Sequence, residues 1–447
     1  MPARFGTDGL RGVANADLSP ELATALGRAV ARCVPAKAFV LGRDTRRSGS
    51  MLAAALAAGV ASEGADVIDL GVIPTPGVAH AAAATGLPGL VVSASHNPFE
   101  DNGIKLLAPG GLKATPELEA EVEAQLELLF ADPSTPPRRP EGPAVGELQA
   151  DPGHAAAYLE ALVAAVPAGS CEGLKVIVDA ANGAASAFAA RAFAASGAQV
   201  EVINATPDGS NINAACGSTH PEGLAAAVLE RGADLGLALD GDADRLIAVD
   251  ASGALVDGDV VIAIFATALS LRGELPGGAV VVTTMTNLGF HRAMAERGIA
   301  VRQVDVGDRN VLRALEAEGL ALGGEQSGHI VFRQRATTGD GMLTGLLLAE
   351  VLASARRPLA ELAAEAMTRM PQVLVNVTAG SPAQVAELPE VLDAVAAATE
   401  LLGDEGRILL RPSGTEPLVR VMVEASTDAQ ATELAQRVAG VVRGAAG

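Results

Sequence analysis

Three aspartates alternate with other residues in the stretch ALDGDADRLIAVD, between two apolar runs. Asp240, Asp242 and Asp244 are two residues apart, so an extended or tightly turned loop can direct all three carboxylates at one point. Carboxylate oxygens are the ligands that Mg²⁺ prefers. An EF-hand also begins with alternate acids, but it needs a glycine and a glutamate where this chain has Arg245 and Ala251. Two interpretations stay open, a magnesium site and an acidic hairpin turn.

Reactive side chains also follow the apolar run GLVV, in the stretch VVSASHNPFEDNGIK. A serine beside a histidine, Ser95 and His96, could indicate a hydrolase, but the G-x-S-x-G turn of the α/β-hydrolases is absent. An ordinary connection from a strand to a turn is the alternative, with Ser93 as a plain loop residue. Three carboxylates rarely complete the ligand shell of Mg²⁺, and a phosphate oxygen is a common further ligand. A phosphorylated serine in this loop would supply one.

Two later stretches carry groups that recognise phosphates and sugars. RPSGTEPLVR, from Arg411 to Arg420, combines two guanidinium groups with hydroxyls and small residues, which suits a phosphate, although a plain hairpin loop explains it equally well. GGEQSGH places Glu325, Ser327 and His329 at alternate positions, and an extended segment would put them on one face. A carboxylate and a hydroxyl on one face suit sugar hydroxyls, whereas a lone histidine is more often structural.

Arginines occur in two loops near the start of the chain. FGTDGLRG places Arg11 in a glycine-rich loop. GRDTRRSG places Arg43, Arg46 and Arg47 directly after an apolar run. We interpret Arg46 and Arg47 as a solvated basic patch.

One pattern that could position these loops occurs three times. An apolar run, a polar loop, an alanine-rich helical stretch, a glycine and a second apolar run follow one another around Gly64, Gly197 and Gly298. Each glycine stands where a left-handed residue ends a helix. A strand, a helix and a second strand in this order predict a parallel βαβ unit, and three copies predict three related α/β domains. Functional loops gather at the carboxyl ends of such strands.

Length and composition set the frame. The 447 residues predict three or four domains, and 49% hydrophobic residues with only 2% aromatics predict cores of Ala, Val and Leu. The longest apolar run, VVIAIFATALSL from Val260, is too short to span a bilayer and predicts a packed helix. Three widely spaced cysteines favour reduced thiols in a cytoplasm. A net charge of −21 argues against nucleic-acid and membrane partners, which reward a basic surface.

TDGLRG, SASHNP, DGDADR, GEQSGH and RPSGTEP, in this order, resemble the α-D-phosphohexomutase superfamily. The resemblance runs from the first ten residues to nearly the last thirty, and it is closest to the bacterial branch that acts on glucosamine phosphates. It implies three related α/β domains with mixed sheets and a smaller C-terminal α+β domain around a central active-site cleft. We expect these domains at residues 1–150, 151–255, 256–367 and 368–447. The Pro-rich stretch 132–143 is interpreted as a surface linker.

The resemblance also implies a role for each loop. Ser95 would be the phosphoserine, and one Mg²⁺ would be held by a phosphate oxygen on Ser95 and by the three aspartates. The remaining residues fall into three groups by role. Charge stabilisation or proton handling near the transferring group is implied for Arg11, His96, Lys105 and Arg245, with Lys105 and His329 as acid–base candidates. Contact with the sugar hydroxyls is implied for Glu325 and Ser327, and contact with the non-reacting phosphate for Arg411, Ser413, Gly414, Thr415 and Arg420.

The implied reaction interconverts glucosamine 6-phosphate and glucosamine 1-phosphate through glucosamine 1,6-bisphosphate, which is both intermediate and activator. The product would feed the synthesis of UDP-N-acetylglucosamine and of cell-wall precursors in a bacterial cytoplasm. A mutase of the same superfamily that acts on phosphoglucose or phosphomannose is the alternative. The partner is then a small sugar phosphate, and the resemblance implies a homodimer.

Overall fold

The computed structural model describes residues 4–6, 8–131, 139–413 and 417–446. Residues 132–138 of the expected linker lie outside these ranges. The chain divides into two compact units by the density of its internal contacts. The first unit takes the residues up to Thr284 together with Ile299–Ala364, and the second takes Met285–Gly298 together with the residues from Glu365 onward.

The first part of the chain folds as a mixed sheet with helices. Its sheet has the order β1-β5-β4-β2-β3-β7, with β6 beside β5. The elements are β1 (Leu10–Val13), α1 (Pro20–Cys33), β2 (Ala38–Arg43), α2 (Gly49–Ala61), β3 (Asp66–Val72), α3 (Thr75–Thr85), β4 (Gly89–Val92), β5 (Asp101–Ala108), β6 (Leu112–Lys113), α4 (Pro116–Ala131), β7 (Leu148–Ala150) and α5 (Gly153–Val163).

The second and third parts repeat this plan with shorter sheets, ordered β12-β11-β10-β8-β9 and β14-β13-β15-β16. The elements of the second part are β8 (Lys175–Asp179), α6 (Ala189–Ala195), β9 (Gln199–Ile203), α7 (Glu222–Arg231), β10 (Leu235–Leu239), β11 (Leu246–Asp250) and β12 (Leu255–Val256). Those of the third are α8 (Gly258–Arg272), β13 (Ala279–Thr283), α9 (Leu288–Glu296), β14 (Ala300–Val304), α10 (Asp308–Glu318), β15 (Leu322–Gly324), β16 (Ile330–Phe332), α11 (Gly341–Ala355) and α12 (Leu359–Ala366).

The C-terminal part is a smaller α+β fold with an antiparallel sheet ordered β17-β19-β18. Its elements are β17 (Gln372–Thr378), α13 (Pro382–Ala386), α14 (Pro389–Leu402), β18 (Arg407–Pro412), β19 (Leu418–Glu424) and α15 (Asp428–Ala445). Its core joins the buried side of β19 to α15 through residues such as Val421 and Val438. Three α/β parts and one α+β part confirm the predicted fold class.

The three predicted βαβ units are confirmed. In each, the helix after the first strand leads to a parallel neighbour: β2 to β3, β8 to β9 and β13 to β14. Gly64, Gly197 and Gly298 have φ of 95°, 90° and 67°, and each donates its N–H to the carbonyl three residues earlier at the end of a helix. Only glycine adopts this region without cost from a Cβ atom.

The apolar stretch from Val260 forms α8, a helix whose first two turns are buried, as predicted. In the described ranges no helix combines the length and the apolar composition that a membrane crossing requires.

Candidate active site

Three of the candidate loops occupy the same place in three similar sheets. Each α/β part contains strands in the order β3-β2-β4-β5, β9-β8-β10-β11 or β14-β13-β15-β16. In each, the third strand runs parallel to its neighbour and then turns back into an antiparallel fourth strand. The turns lie between β4 and β5, between β10 and β11, and between β15 and β16. They carry Ser95, the three aspartates and Glu325, respectively.

Ser95 lies completely buried and directly against the aspartates. Its backbone has φ of 53°, in the left-handed region that non-glycine residues rarely adopt. Its Oγ donates a hydrogen bond to Oδ2 of Asp240 at 2.5 Å and lies 3.3 Å from Nδ1 of His96. The structure therefore brings the first and second turns into contact through this hydroxyl.

Gly241 makes that contact possible. A Cβ atom at this position would lie 2.6 Å from the carbonyl oxygen of Ser95, which is closer than such atoms approach. The glycine between Asp240 and Asp242 thus lets the backbone of the Ser95 turn pass against the acidic turn.

The three aspartates form a compact, buried cluster. One carboxylate oxygen from each of Asp240, Asp242 and Asp244 lies within 4.8 Å of the others. Oδ1 of Asp242 and Oδ1 of Asp244 are buried and accept no hydrogen bond from any residue that the structure describes. Buried carboxylate oxygens without a donor are costly unless a cation meets them. Hard oxygen ligands and two free buried oxygens fit a divalent metal ion such as Mg²⁺.

The electrostatics of the cluster agree with that fit. Burial, followed by the charges of Asp244 and Asp242, raises the pKa of Asp240 well above its usual value. Burial also opposes ionisation of Asp242, but Lys105 and the Thr75 hydroxyl outweigh it and bring its pKa to about 2. The positive charge near Asp240 does not outweigh its burial and its two acidic neighbours, and a bound dication would add positive charge there.

Lys105 places its ammonium group in the middle of this acidic surrounding. Its Nζ lies 2.9 Å from Oδ2 of Asp242, 3.3 Å from Oδ2 of Asp244 and 3.0 Å from Oδ2 of Asp8. Burial lowers its pKa, but Asp242, Asp8 and Asp244 outweigh burial and raise that pKa well above the usual value. Lys105 is therefore held protonated, which suits a fixed positive charge better than a proton carrier.

Arg11 and Arg245 add further positive charge beside the Ser95 turn. Arg11 pairs with Asp8, and its Nη1 donates to Oδ1 of Asn97 at 3.2 Å. The backbone N–H of Arg245 donates to Oδ1 of Asp240 at 3.2 Å, and its side chain lies 3.8 Å from Oδ1 of Asp244. Burial lowers the pKa of Arg245, but the carboxylates of Asp244 and Asp240 outweigh burial and raise it.

The two candidate histidines differ in burial and in their surroundings: His96 is half-buried and His329 is buried. Burial, Arg245 and Arg11 lower the pKa of His96 to about 4, so its ring is neutral at pH 7. His329 is 3% exposed, and its Nε2 accepts the backbone N–H of Gly339 at 3.2 Å. This bond needs a lone pair on Nε2, so the neutral ring carries its hydrogen on Nδ1. In this form His329 can donate a proton only from Nδ1, and its one lone pair, on Nε2, is occupied by the N–H of Gly339.

The expectation that Glu325, Ser327 and His329 alternate along an extended segment is wrong. The residues form a tight turn in which the N–H of Gly328 donates to the carbonyl of Glu325, and the N–H of Glu325 donates to that of His329. Ser327 is exposed at the tip, Glu325 is half-buried, and His329 is buried directly before β16. The short strands β15 and β16 pair with each other, which leaves no length for an extended stretch.

The phosphate-binding candidates belong to the second unit. Arg411 and Arg420 are direct cross-strand partners on β18 and β19, so their side chains leave the same face of the sheet. Like charges directly opposite one another are unfavourable, and an anion between them would relieve the repulsion. Ser413 donates its N–H to the carbonyl of Leu418 at 2.8 Å. Gly414 and Thr415 lie outside the described residues.

The interpretation of Arg46 as part of a solvated patch is wrong. Its side chain is fully buried, pairs with Asp44 at 2.9 Å, and donates to backbone carbonyls of the Ser95 turn. Arg47, the next residue, is exposed, as expected. The segment GRDTRRSG does not indicate which arginine is buried, because the carbonyl groups that accept from Arg46 belong to a loop about fifty residues later.

Sequence analysis also missed a chain of ion pairs that extends from Lys105. Asp8 lies 3.0 Å from Nζ of Lys113, and Nζ of Lys113 lies 2.6 Å from Oδ1 of Asp308. Asp8 belongs to the motif TDGLRG, so this motif could have indicated that Asp8 is a candidate site residue. Asp308 is at the first turn of α10 and carries no signal before the fold is known.

Comparison with known proteins decides the family. Four profiles of phosphoglucomutase/phosphomannomutase match in order: α/β/α domain I at residues 2–130, domain II at 156–253, domain III at 257–370 and the C-terminal domain at 374–441. A phosphoglucosamine mutase from Frankia alni is 53% identical over 100% of this chain and 99% of its own. The chain belongs to the phosphoglucosamine mutases. As a member of that family it is an isomerase, a mutase.

Solved structures of phosphohexomutases share the fold. A phosphoglucomutase/phosphomannomutase family protein from Burkholderia thailandensis is 27% identical, with a TM-score of 0.82 over 100% of this chain and 98% of its own. An N-acetylphosphoglucosamine mutase from Aspergillus fumigatus, determined in complex with GlcNAc-6P and magnesium, is 19% identical. Its TM-score is 0.68, over 99% of this chain and 96% of its own.

Proposed function

We propose that this phosphoglucosamine mutase interconverts glucosamine 6-phosphate and glucosamine 1-phosphate through a phosphoserine at Ser95. The observation that supports this most strongly is the buried Ser95 hydroxyl against Asp240, within a cluster of three carboxylates. A phosphate on Ser95 would need positive charge and hydrogen-bond donors, which the neighbouring carboxylates do not provide. The fixed cations beside the serine would have to provide them. Lys105, Arg11 and Arg245 are those cations.

Asp240, Asp242 and Asp244, with a phosphate oxygen on Ser95, would hold one Mg²⁺. A bound ion would supply positive charge that offsets the charge developing on the transferring phosphoryl group. The fungal relative that shares this fold was determined with magnesium bound.

The chain's own residues would then act in two transfers. In the first, the bond between phosphorus and Oγ of Ser95 breaks, and a bond forms from phosphorus to the hydroxyl oxygen at position 1 or 6 of the sugar. The proton of that hydroxyl passes to a base, and Oγ of Ser95 takes up a proton as its bond to phosphorus breaks. His329 is the acid–base candidate, and it would accept a proton at Nε2 once that atom releases the N–H of Gly339. Lys105 stays charged and stabilises the phosphoryl oxygens throughout. The sugar is now glucosamine 1,6-bisphosphate.

In the second transfer the bisphosphate has turned end over end. The bond from its other phosphorus to the sugar oxygen breaks, a bond from that phosphorus to Oγ of Ser95 forms, and the sugar oxygen gains a proton in place of the one that Oγ loses. Glu325 and Ser327 hold the sugar hydroxyls through the half-buried third turn. Arg411, Ser413 and Arg420, with Gly414 and Thr415, hold the phosphate that is not reacting. A pair of cross-strand guanidinium groups recognises a phosphate without regard to the sugar position that carries it.

The setting of the reaction is part of the same proposal. Glucosamine 1-phosphate would feed UDP-N-acetylglucosamine and peptidoglycan synthesis in a bacterial cytoplasm. A small sugar phosphate is then the partner, without nucleic acid or membrane, and the enzyme acts as a homodimer.

A mutase assay with Mg²⁺ and a trace of glucosamine 1,6-bisphosphate tests the substrate. Glucosamine 6-phosphate, glucose 6-phosphate and mannose 6-phosphate are compared by kcat/KM. We expect glucosamine to be preferred by about a hundredfold or more, which is about 2.7 kcal/mol of transition-state discrimination. Equal or better use of glucose or mannose would instead assign the chain a phosphoglucomutase or phosphomannomutase activity.

A further inference from the structure

The guanidinium group of Arg46 uses all of its hydrogen-bond donors within the protein. An arginine side chain has five N–H donors in a planar fork. Nε of Arg46 donates to Oδ2 of Asp44 at 2.9 Å. The two Nη atoms donate to four backbone carbonyls of the turn between β4 and β5 and the start of β5, those of Ser95 at 2.9 Å, Asn97 at 2.9 Å, Asp101 at 3.0 Å and Pro98.

Asp44 connects this fork to the backbone N–H of the nucleophile. Its Oδ1 accepts the N–H of Arg46 at 2.9 Å, and its Oδ2 also accepts the hydroxyl of Ser93 at 2.6 Å. The Ser93 hydroxyl has one hydrogen, and it is donated to Asp44. The oxygen of Ser93 is therefore left to accept the N–H of Ser95, at 3.0 Å.

The conformation of Ser95 explains why such support is needed. A non-glycine residue in the left-handed region costs on the order of 1–3 kcal/mol and persists only where its surroundings impose it. Here the N–H of Ser95 is held by Ser93, and its carbonyl is held by Arg46 and, at 2.9 Å, by Nδ2 of Asn213. Both peptide groups that flank the left-handed residue are thus fixed.

The carbonyl groups around Arg46 are a second reason why this turn requires a buried cation. Four carbonyl oxygens of one short turn converge on a single point in the buried interior. Without a cation the dipoles of these carbonyls repel each other. The other donors that reach them are neutral groups, Nδ2 of Asn213 at Ser95 and Asn97 and the N–H of Asp101 at Pro98. Arg46 is the group that allows the turn to close in this shape.

We propose that Arg46, Asp44 and Ser93 are positioning residues for the phosphoryl transfer. They hold the Ser95 backbone so that Oγ stays against Asp240, although none of the three provides the reacting group. The inference rests on the proposed role of Ser95. Its consequence is a loss in kcat with little change in KM, because the sugar is bound elsewhere and only the reacting oxygen is misplaced.

Arg46→Lys is the direct test, because it keeps the positive charge and the long stem. An ammonium group has three donors without a planar fork, so it cannot serve four carbonyls and Asp44 together. Arg47→Lys is the matched control: the same change, one residue on, at an exposed side chain. Both variants are compared with the full-length wild type by kcat and KM for glucosamine 6-phosphate, and by amide hydrogen exchange over residues 93–102.

We expect Arg46→Lys to lower kcat by about a hundredfold while KM stays within threefold, since an error of about 1 Å at the reacting atom costs that much. Exchange over residues 93–102 should accelerate at least tenfold. Arg47→Lys should change neither quantity. Unchanged exchange in Arg46→Lys, or faster exchange with kcat within threefold of the control, would overturn the positioning role.

Ser93→Ala keeps the test decisive if Arg46→Lys folds poorly. It removes one buried hydroxyl. Its control is Ser196→Ala, at another fully buried serine, whose Oγ donates to a backbone carbonyl at 2.7 Å. We expect kcat to fall about tenfold in Ser93→Ala only, and kcat equal to that of Ser196→Ala would contradict the proposal. A wild type without turnover would refute the proposed function instead, and the exchange data would still decide whether Arg46 fixes the turn.

Discussion

The first and second hairpin turns differ from the third in how much of them is buried, although all three occupy the same place in similar sheets. Ser95 and Asp240 are both completely buried, and their side chains contact each other. Ser327 is exposed at the tip of the third turn, and Glu325 is half-buried. The same topological position can thus hold either a fully buried turn or a turn that is open to solvent.

That difference has a cost in stability. The buried turns crowd three carboxylates together, and the pKa of Asp240 is raised by burial and by its two neighbours. A group of this kind opposes folding near neutral pH, because its ionised form is disfavoured in the native state. The exposed third turn holds its carboxylate in partial contact with solvent. Strain and repulsion are therefore concentrated where the phosphoryl group is proposed to move.

The largest effect should separate two serines in equivalent turns. We expect Ser95→Ala to lower kcat at least about a thousandfold, because the group that carries the phosphate is lost. Ser327→Ala should raise KM for the sugar phosphate several-fold and leave kcat within threefold. Steady-state kinetics and a thermal melt measure both variants. Comparable kcat in the two variants would contradict the assignment of phosphoryl transfer to the first turn and of sugar binding to the third.

A smaller effect should appear in metal binding at the second turn. Oδ1 of Asp244 is one of the free buried oxygens, so Asp244→Asn should weaken Mg²⁺ binding by about a hundredfold in calorimetry. Asp250→Asn, at a buried aspartate on the adjacent strand β11 outside the cluster, should bind Mg²⁺ as the wild type does. If both variants bind Mg²⁺ equally well, the cluster is an acidic turn and not a metal site.

The smallest effect concerns stability near the third turn. Asp340 caps α11 by accepting the N–H of Leu343 at 2.9 Å, and its Oδ2 accepts the Tyr158 hydroxyl at 2.9 Å. Burial raises its pKa from 3.8 to about 6. The folded state therefore holds this proton more tightly than the unfolded state, and stability falls as the pH rises from about 4 to 6.

Asp340→Asn removes this titration and keeps one acceptor, for the N–H of Leu343. Its amide NH₂ can donate to the Tyr158 hydroxyl in place of the bond that the carboxylate accepted. Denaturant unfolding should show the variant gaining up to about 2–3 kcal/mol over the wild type as the pH rises from 4 to 6, with a constant difference above that range. A pH-independent difference would show that Asp340 is not the group that titrates. Such a result would leave the stability cost confined to the first two turns.

The sequence alone predicts much of this architecture, for physical reasons that particular residues show. Gly64, Gly197 and Gly298 mark helix ends because a left-handed residue is needed there, and this requirement is local. The acid cluster was recognisable from spacing, since Asp240, Asp242 and Asp244 sit in one tight turn. Local rules were sufficient for these features.

Features decided by distant parts of the chain were not predictable. Arg46 is buried because carbonyl groups near Ser95, 49 residues later, surround it. Glu325 lies in a turn and not on an extended face, because β15 pairs with β13 on one side and with β16 on the other. The partner of Lys113, Asp308, is 195 residues away. No pattern within a short window carries such information.

Transfer of label from Ser95 to the sugar tests the central claim most directly. The wild type is loaded with glucosamine 1,6-bisphosphate carrying ³²P, freed of ligand, and mixed with glucosamine 6-phosphate and Mg²⁺ in a rapid-quench single turnover. The account predicts that label mapped to Ser95 moves to the sugar at a rate no slower than kcat, and that Ser95→Ala takes up none. Label that stays on the protein during turnover, or leaves as inorganic phosphate, would contradict it.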